Sequence, residues 1–472
     1  MLFNSIPFAL FLILVFCGYW FIFNKNLRIQ NAFIFATSYL FYGWWDWKFL
    51  FLISGSALVG FCVGLMLEKT EDLYTRKILV GIAITINILF LATFKYANFF
   101  TQSLEELFNH LGFQADFITL KLILPIGISF YTFHNISYII DVYRRTIPAT
   151  KDIIVYASFM SYFPQLVAGP IQRAKTLIPQ FQKERQFDYA TAVAGLQQIL
   201  WGLFKKVIIA DTCAVHVNAA FAHYETLPGS QLILAAVLFA FQIYGDFSGY
   251  TDMALGISKL FGIELTTNFK TPYFARSIPD FWKRWHISLT TWFKDYLYIP
   301  LGGNKRGLAI TLRNTLIIFF VSGFWHGANW TFIAWGLLNG IYFIPYLFFK
   351  LDSKEEAYSF TDYVHMCFVF VSICFSWIFF RANTITVAFA YISHLFTNPF
   401  INRSLYTQFP WSIMLPILFL LVVEWAYFRK DGFKAIQFKY RWLAWTCYVC
   451  LAIFILMNMS FHQTSDFIYF QF

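Results

Sequence analysis

The 472-residue chain is 59% hydrophobic and only 13% charged, about half the charge of a soluble globular chain, which excludes a water-soluble fold. Its net charge of +10 comes mostly from Lys and Arg in short loops beside apolar runs, a pattern that sets topology and meets anionic headgroups. Nucleic acid is therefore not an expected partner; the membrane is.

Apolar runs recur near residues 6–23, 79–94, 232–244, 414–423 and 442–457, several approaching the ~20 residues that cross a bilayer as a helix. The expected fold is all-α, one polytopic membrane domain over residues 1–472 with about 11 transmembrane helices. The first run lacks a basic start and a small-residue cleavage site before Asn24, so it reads as a retained span. Lys25 and Arg28 place the following loop in the cytoplasm, and Lys69, Arg76 and Lys77 do the same for the next inner loop. Residues 96–120 carry Glu105, Glu106 and Asp116 without Lys or Arg, and fit the outside. Arg144, Arg145 and Lys151, then Arg173, Lys175, Lys183 and Arg185, return to the cytoplasm.

Between those two basic groups lies ASFMSYFPQLVAGPIQR, apolar but broken by Pro164 and by Gly169–Pro170. Both its ends read as cytoplasmic, so it is expected to be re-entrant. Irregular backbone at membrane depth survives only where protein buries it or where it lines a cavity. Residues 211–230 have no Lys or Arg and read as outside, residues 259–306 are basic and inside, and 429–441 are inside again. The last span then exits outward and carries residues 461–472 to the outer face.

Ionisable and polar groups inside apolar spans are costly and mark function. His134, Asn135 and Asp141 share one such segment, with helix–helix hydrogen bonding the simpler account of His134. In IYGDFSGYTDMALGISKLFG, Asp246 or Ser248 could cap a helix starting near Gly249 and ending at Gly262. Asp246, Tyr250 and Asp252 together also suit the lining of a cavity. The stretch 272–307 is aromatic and basic, as an interfacial helix would be, yet it also sets His286 beside Trp285 and before Asp295 and Tyr296. In VSGFWHGANWTFIAWG, His326 is flanked by Trp325, Gly327 and Asn329, with Gly323 one turn earlier. Gly323 and Gly327 admit close approach of backbone or ligand. Apolar surroundings favour the neutral imidazole that a general base requires. A base and a bundle hydrogen-bonder both remain open for His326. The seven Cys are scattered, and Cys447 and Cys450 form a lone CxxC expected to be buried packing rather than a metal or redox pair.

The segments LPIGISFYTF, FPQLVAGPIQR, YGDFSGYTDMALG, FWKRWHISLTTWFKDYLYIPLGG and SGFWHGANW, in that order, resemble the membrane-bound O-acyltransferase family in its alginate O-acetylation branch. The resemblance covers most of the chain. It implies helices around a thin core holding a tunnel, His326 as the catalytic histidine, and His286 as a second motif histidine at the cytoplasmic mouth. It also implies an acyl thioester, acetyl-CoA or another, as donor substrate with no bound cofactor, and a polysaccharide acceptor. An extracytoplasmic SGNH-hydrolase-like acetyltransferase is the implied partner, and a cell (inner) membrane the implied location. Trp N–H groups, Asn329 and His286 are the candidate donors to an oxyanion. The closing FIYFQF contains Phe467, Tyr469 and Phe472 in a Phe-x-Tyr-x-x-Phe pattern that resembles the tail motif of these systems, making Tyr469 the implied acyl carrier. D-alanyl transfer, acylation of a lipid, transport and an export scaffold are the rival readings.

Overall fold

The computed structural model describes residues 1–113, 123–167, 169–349, 359–400, 411–428, 440–459 and 467–468, except for the side chains of Tyr427 and Arg441. Among these residues every regular element is helical. Seven helices are long and apolar enough to cross a bilayer: Phe49–Lys69, Leu73–His110, Tyr189–Ala222, Gly229–Leu260, Leu308–His326, Trp330–Phe349 and Phe360–Arg381. Four shorter apolar helices, Ile6–Ile22, Ile385–Thr397, Trp411–Ala426 and Trp442–Asn458, accompany them. The polytopic all-α architecture expected from composition is what the chain adopts.

The chain divides into two compact units, one of Met1–Gly195 with Ala254–Thr266 and one of Leu196–Met253 with Thr267–Phe472. In the first, the segment broken by proline forms a helix at Ile153–Ser161, a single turn at Phe163–Leu166 and a further helix at Ala174–Phe181. Protein buries it: Tyr156, Phe159, Tyr162, Phe163 and Gln165 are all inaccessible. Its backbone is tied down by donors and acceptors from neighbouring helices. His134 Nε2 accepts the Gln172 N–H at 3.0 Å, a bond to the loop ahead of the Ala174–Phe181 helix rather than one between helices. Asn135 is the hub of a polar cluster, donating to Ser56 Oγ at 2.9 Å and Asn87 Oδ1 at 3.0 Å and accepting from the Tyr156 hydroxyl at 2.9 Å. Only a glycine fits opposite it, since a Cβ on Gly60 would lie 1.8 Å from Asn135 Oδ1.

Two basic residues assigned to loops by the charge pattern act inside this unit. Arg76 is buried and donates to the carbonyls of Leu67, Thr70 and Tyr143, satisfying orphan acceptors at two helix ends. Arg185 donates to Gln30 Oε1 and Asn31 Oδ1 at 3.0 and 2.6 Å.

The Gly229–Leu260 helix, whose residues up to Met253 belong to the second unit, runs straight through the position where a new helix seemed to begin. Gly245 and Gly249 do not start or cap anything. A Cβ on Gly245 would stand 2.8 Å from the Lys205 carbonyl, and one on Gly249 2.7 Å from that of Gly202. These glycines let two helix backbones touch. Gly262 does terminate the helix, with φ of 68° and the Ile263 N–H returning to the Ser258 carbonyl at 3.0 Å. The Leu308–His326 and Trp330–Phe349 helices approach equally closely. Cβ atoms on Gly323 and Gly336 would sit 2.2 Å from the Phe332 carbonyl and 2.3 Å from that of Phe319. Cys447 and Cys450, expected to be buried, are exposed. Their helix, Arg441–Asn458, buries only Ile455 among its described side chains, so hydrocarbon rather than protein surrounds its thiols.

Candidate active site

Everything that places His326 follows from the two close-packed helices. It is the last residue of the Leu308–His326 helix, 4% exposed, and the three residues 327–329 turn the chain into the next helix. Aromatic rings enclose its imidazole. Trp325, Trp335 and Phe380 have centroids 4.8, 5.1 and 5.4 Å away. Gly327 faces the Phe332 ring, which a Cβ would approach to 2.1 Å. The close approach that Gly323 and Gly327 permit is thus made by protein.

His286 stands opposite, its ring centroid 6.5 Å from that of His326. It lies in the connection between the Gly229–Leu260 and Leu308–His326 helices, at the turn between the short helices Ile278–Arg284 and Ile287–Phe293. Its backbone is left-handed (φ 46°, ψ 51°), a strained conformation for a non-glycine residue of the kind that collects at functional sites. Only 1% of it is exposed, and it lies beside His326.

Asn268 fixes its protonation pattern. Asn268 Oδ1 accepts the Ser288 N–H at 3.2 Å and the Ser288 hydroxyl at 2.9 Å, which orients the amide. The same oxygen lies 3.1 Å from His286 Nδ1, so Nδ1 carries the proton and Nε2 presents its lone pair. Burial pushes the imidazole down to about 3, keeping it neutral. Nε2 has no hydrogen-bond partner among the described residues. His286 is therefore built as an acceptor, not as the oxyanion donor that it was a candidate for.

Both histidines line one cavity of about 270 Å³, with walls of Trp282, Trp285, Leu289, Phe293, Phe319 and Phe343 and with Lys283, Lys294 and Tyr298 among its other residues. The indole N–H of Trp282 is buried without an acceptor among the described residues. Trp is a donor only, so this group has a hydrogen bond left to make. Trp285, 1% exposed, stacks on Phe281 at 5.6 Å and forms a wall. Asp295 and Tyr296 do not line the cavity; the widened turn Lys294–Tyr298 sends Lys294 and Tyr298 there, and Tyr296 packs on Trp292 at 5.1 Å.

A second cavity of about 390 Å³ begins where the first ends along the chain, at Gly327, Ala328 and Asn329. Its walls are polar, including Lys206, Asp211, Asn218, Asp246, Arg381 and Asn383. Asn329 caps the following helix, accepting the Thr331 N–H at 3.0 Å and donating to the Asn383 carbonyl at 2.9 Å. Asn329 therefore lines the second cavity, and not the one that holds the two histidines.

Asp246, Tyr250 and Asp252 leave one helix in different directions. Asp252 pairs with Lys205 and accepts from Gln198 at 3.0 Å. Asp246 Oδ1 lies 2.8 Å from Lys206 Nζ, which lies 2.8 Å from Asp211 as well. Tyr250, 1% exposed, packs on Phe467 at 4.6 Å. Lys205, Lys206, Arg381 and Asn268 went unremarked in the sequence. The two lysines were visible as WGLFKKVIIAD, charge within an apolar span, and they sit in a widened helical turn at Phe204–Ala210. Tyr469 lies outside the described residues, as does most of the tail 461–472; Phe467 and Ile468 are described and buried.

A sequence model of the MBOAT, membrane-bound O-acyltransferase family matches residues 81–389, well over half the chain. The chain belongs to this family. It is an O-acyltransferase and a multi-pass membrane protein. A probable alginate O-acetylase of Pseudomonas putida is 39% identical over 392 residues, 82% of this chain and 79% of the relative. A peptidoglycan O-acetyltransferase of Helicobacter pylori is 36% identical over 82% of this chain and 78% of its own length. A teichoic acid D-alanyltransferase of Bacillus subtilis is more distant, 28% identical over 56% of this acyltransferase and 70% of the relative.

Proposed function

We propose that the chain moves an acetyl group from a cytoplasmic thioester, acetyl-CoA, across the inner membrane towards an extracytoplasmic polysaccharide. The observation that carries this reading is the pairing of His326 and His286, 6.5 Å apart in one mostly apolar cavity with lysines at its edge. The named activities of the two relatives aligned over 82% of the chain support acetyl over D-alanyl transfer and a glycan as final acceptor.

In this reading the acyl chain enters the aromatic cavity while the charged part of the donor stays with Lys283 and Lys294. A hydroxyl attacks the thioester carbonyl, forming a C–O bond. His326 takes the hydroxyl proton, the C–S bond breaks, and the thiolate leaves with that proton. Trp282 Nε1–H stabilises the carbonyl oxygen, and the lone pair of His286 Nε2 orients a hydroxyl or a water. Tyr469 supplies the attacking hydroxyl, on a tail at the outer face. The phenyl ester that results is a good donor because a phenol of pKa about 10 leaves more readily than an alcohol. An extracytoplasmic SGNH-hydrolase-like transferase would then pass the acetyl group to the glycan.

The test is transfer of label from radioactive acetyl-CoA in membrane vesicles, combined with analysis of O-acetyl groups on envelope glycans. His326→Ala should abolish both while leaving the protein folded by tryptophan fluorescence. Unchanged glycan acetylation in that variant would reduce the chain to a scaffold. Labelling by a D-alanyl thioester and not by acetyl-CoA would overturn the choice of acyl group.

A further inference from the structure

The second cavity holds an arrangement that acyl transfer does not by itself require. Asp246 is 3% exposed and uses both carboxylate oxygens. Oδ1 faces Lys206 Nζ at 2.8 Å, and Oδ2 accepts the backbone N–H of Ile468 at 2.6 Å. Lys206, 1% exposed, is held in turn by Asp211 at 2.8 Å and lies 5.7 Å over the Tyr250 ring. That ring carries Phe467, which is wholly enclosed and also reaches Phe247 at 6.0 Å. Phe247 in turn lies 4.7 Å from the His286 ring. Two neighbouring residues near the C-terminus are thus fixed by different means, Phe467 by its side chain and Ile468 by its main chain.

We infer that Asp246, oriented by Lys206, is a positioning residue that latches the C-terminal segment at the second cavity. The physical reason lies in the choice of bond. A side-chain anchor alone lets an extended segment slide or turn about its own axis. A backbone N–H pinned to a buried carboxylate sets the register, because the two side chains following and preceding it then have fixed phase. The carboxylate survives burial because Lys206 balances its charge, and the lysine survives because two aspartates surround it. A hydrogen bond to a charged acceptor shifts occupancy by about ten- to a hundredfold, enough to hold a two-residue anchor. Ile468 immediately precedes Tyr469 in the chain. The consequence for turnover rests on the reading of Tyr469 as the acyl carrier; the latch itself does not.

Proline at 468 provides the discriminating variant, because it removes the N–H and leaves the buried ion cluster alone. Ile468→Ala shortens the same side chain and keeps the N–H. In the purified full-length protein, carboxypeptidase release of C-terminal residues and steady-state acetyl transfer are measured together. Ile468→Ala sets the baseline for losing the buried side chain alone, and Ile468→Pro is read against it. Ile468→Pro should release its tail about ten- to a hundredfold faster and lose kcat in similar proportion, with donor KM unchanged. Asp246→Ala should match it, and Ile468→Pro decides the matter if Asp246→Ala does not fold. A tail equally resistant in the Pro and Ala variants overturns the latch. Tyr469→Phe separates the two ideas: full activity with a resistant tail removes the carrier and leaves the latch standing. Loss of activity in Tyr469→Phe with an unaltered Ile468→Pro does the reverse.

Discussion

Gly323→Ala asks whether the distance between two helices sets the chemistry at His326. An alanine Cβ there would lie 2.2 Å from the Phe332 carbonyl oxygen and 3.2 Å from the Gly336 Cα. Backbone cannot swing aside as a side chain can, so the Leu308–His326 and Trp330–Phe349 helices must separate by about 1 Å to restore ordinary contact. His326 ends the same helix less than one turn later, and residues 327–329 connect it to the displaced partner. Overpacking costs about 1–3 kcal/mol, and replacing glycine within a helix returns about 1 kcal/mol. The fold should therefore hold, with a melting temperature a few degrees lower. The rate should not hold, since a displacement of about 1 Å at a catalytic group can remove about a hundredfold. The assay is initial acetyl transfer in vesicles alongside melting in detergent. Gly55→Ala is the control, because no atom lies within 4 Å of its Cβ position. Parental rate and melting temperature in Gly323→Ala would refute the claim that this contact positions the histidine.

Lys206→Met should lower stability by about 3–5 kcal/mol by stranding a buried carboxylate, and Lys206→Met/Asp246→Asn should recover most of it in the same melting assay. Because burial lowers the His286 imidazole to about 3 from an ordinary value near 6.5, its share of stability is complete above pH 6.5. That share is lost as pH falls from 6.5 towards 3, so melting temperature should drop with acid less steeply in His286→Gln than in the parent. Gly60→Ala should destabilise by about 1–3 kcal/mol through collision with Asn135, without altering the donor KM of whatever protein folds. Asn329→Ala should lose about 1 kcal/mol of helix capping, while Asn329→Asp keeps the bond from Thr331 but loses the one to the Asn383 carbonyl and should melt between parent and Ala.

The helices, the broken segment around Pro164 and the Trp-His-Gly turn were legible because each is written in adjacent residues. What was not legible depends on partners far apart in sequence. Asp246 read as a cap because a charged residue next to glycines looks like a helix start; its partners Lys206 and Ile468 come from other elements. Gly245 and Gly249 mark a close crossing, a property of two helices that neither displays alone. The acceptor role of His286 depends on Asn268 and on a left-handed turn, and Trp-rich composition gave no hint of either. His134 was easier, since a single buried imidazole in an apolar helix has few alternatives to bonding backbone.

The unlike walls of the two cavities bear on what would drive the proposed transfer. Aromatic rings line one, and Lys206, Asp211 and Arg381 are among the residues of the other. An acetyl group is neutral, whereas the transmembrane potential acts only on charge, at about 2.3 kcal/mol per elementary charge per 100 mV. In the proposed reaction the group handed past His326 is neutral and feels none of that field. On that proposal the thioester bond alone supplies the energy, so vesicles with a collapsed proton gradient should transfer acetyl as fast as energised ones.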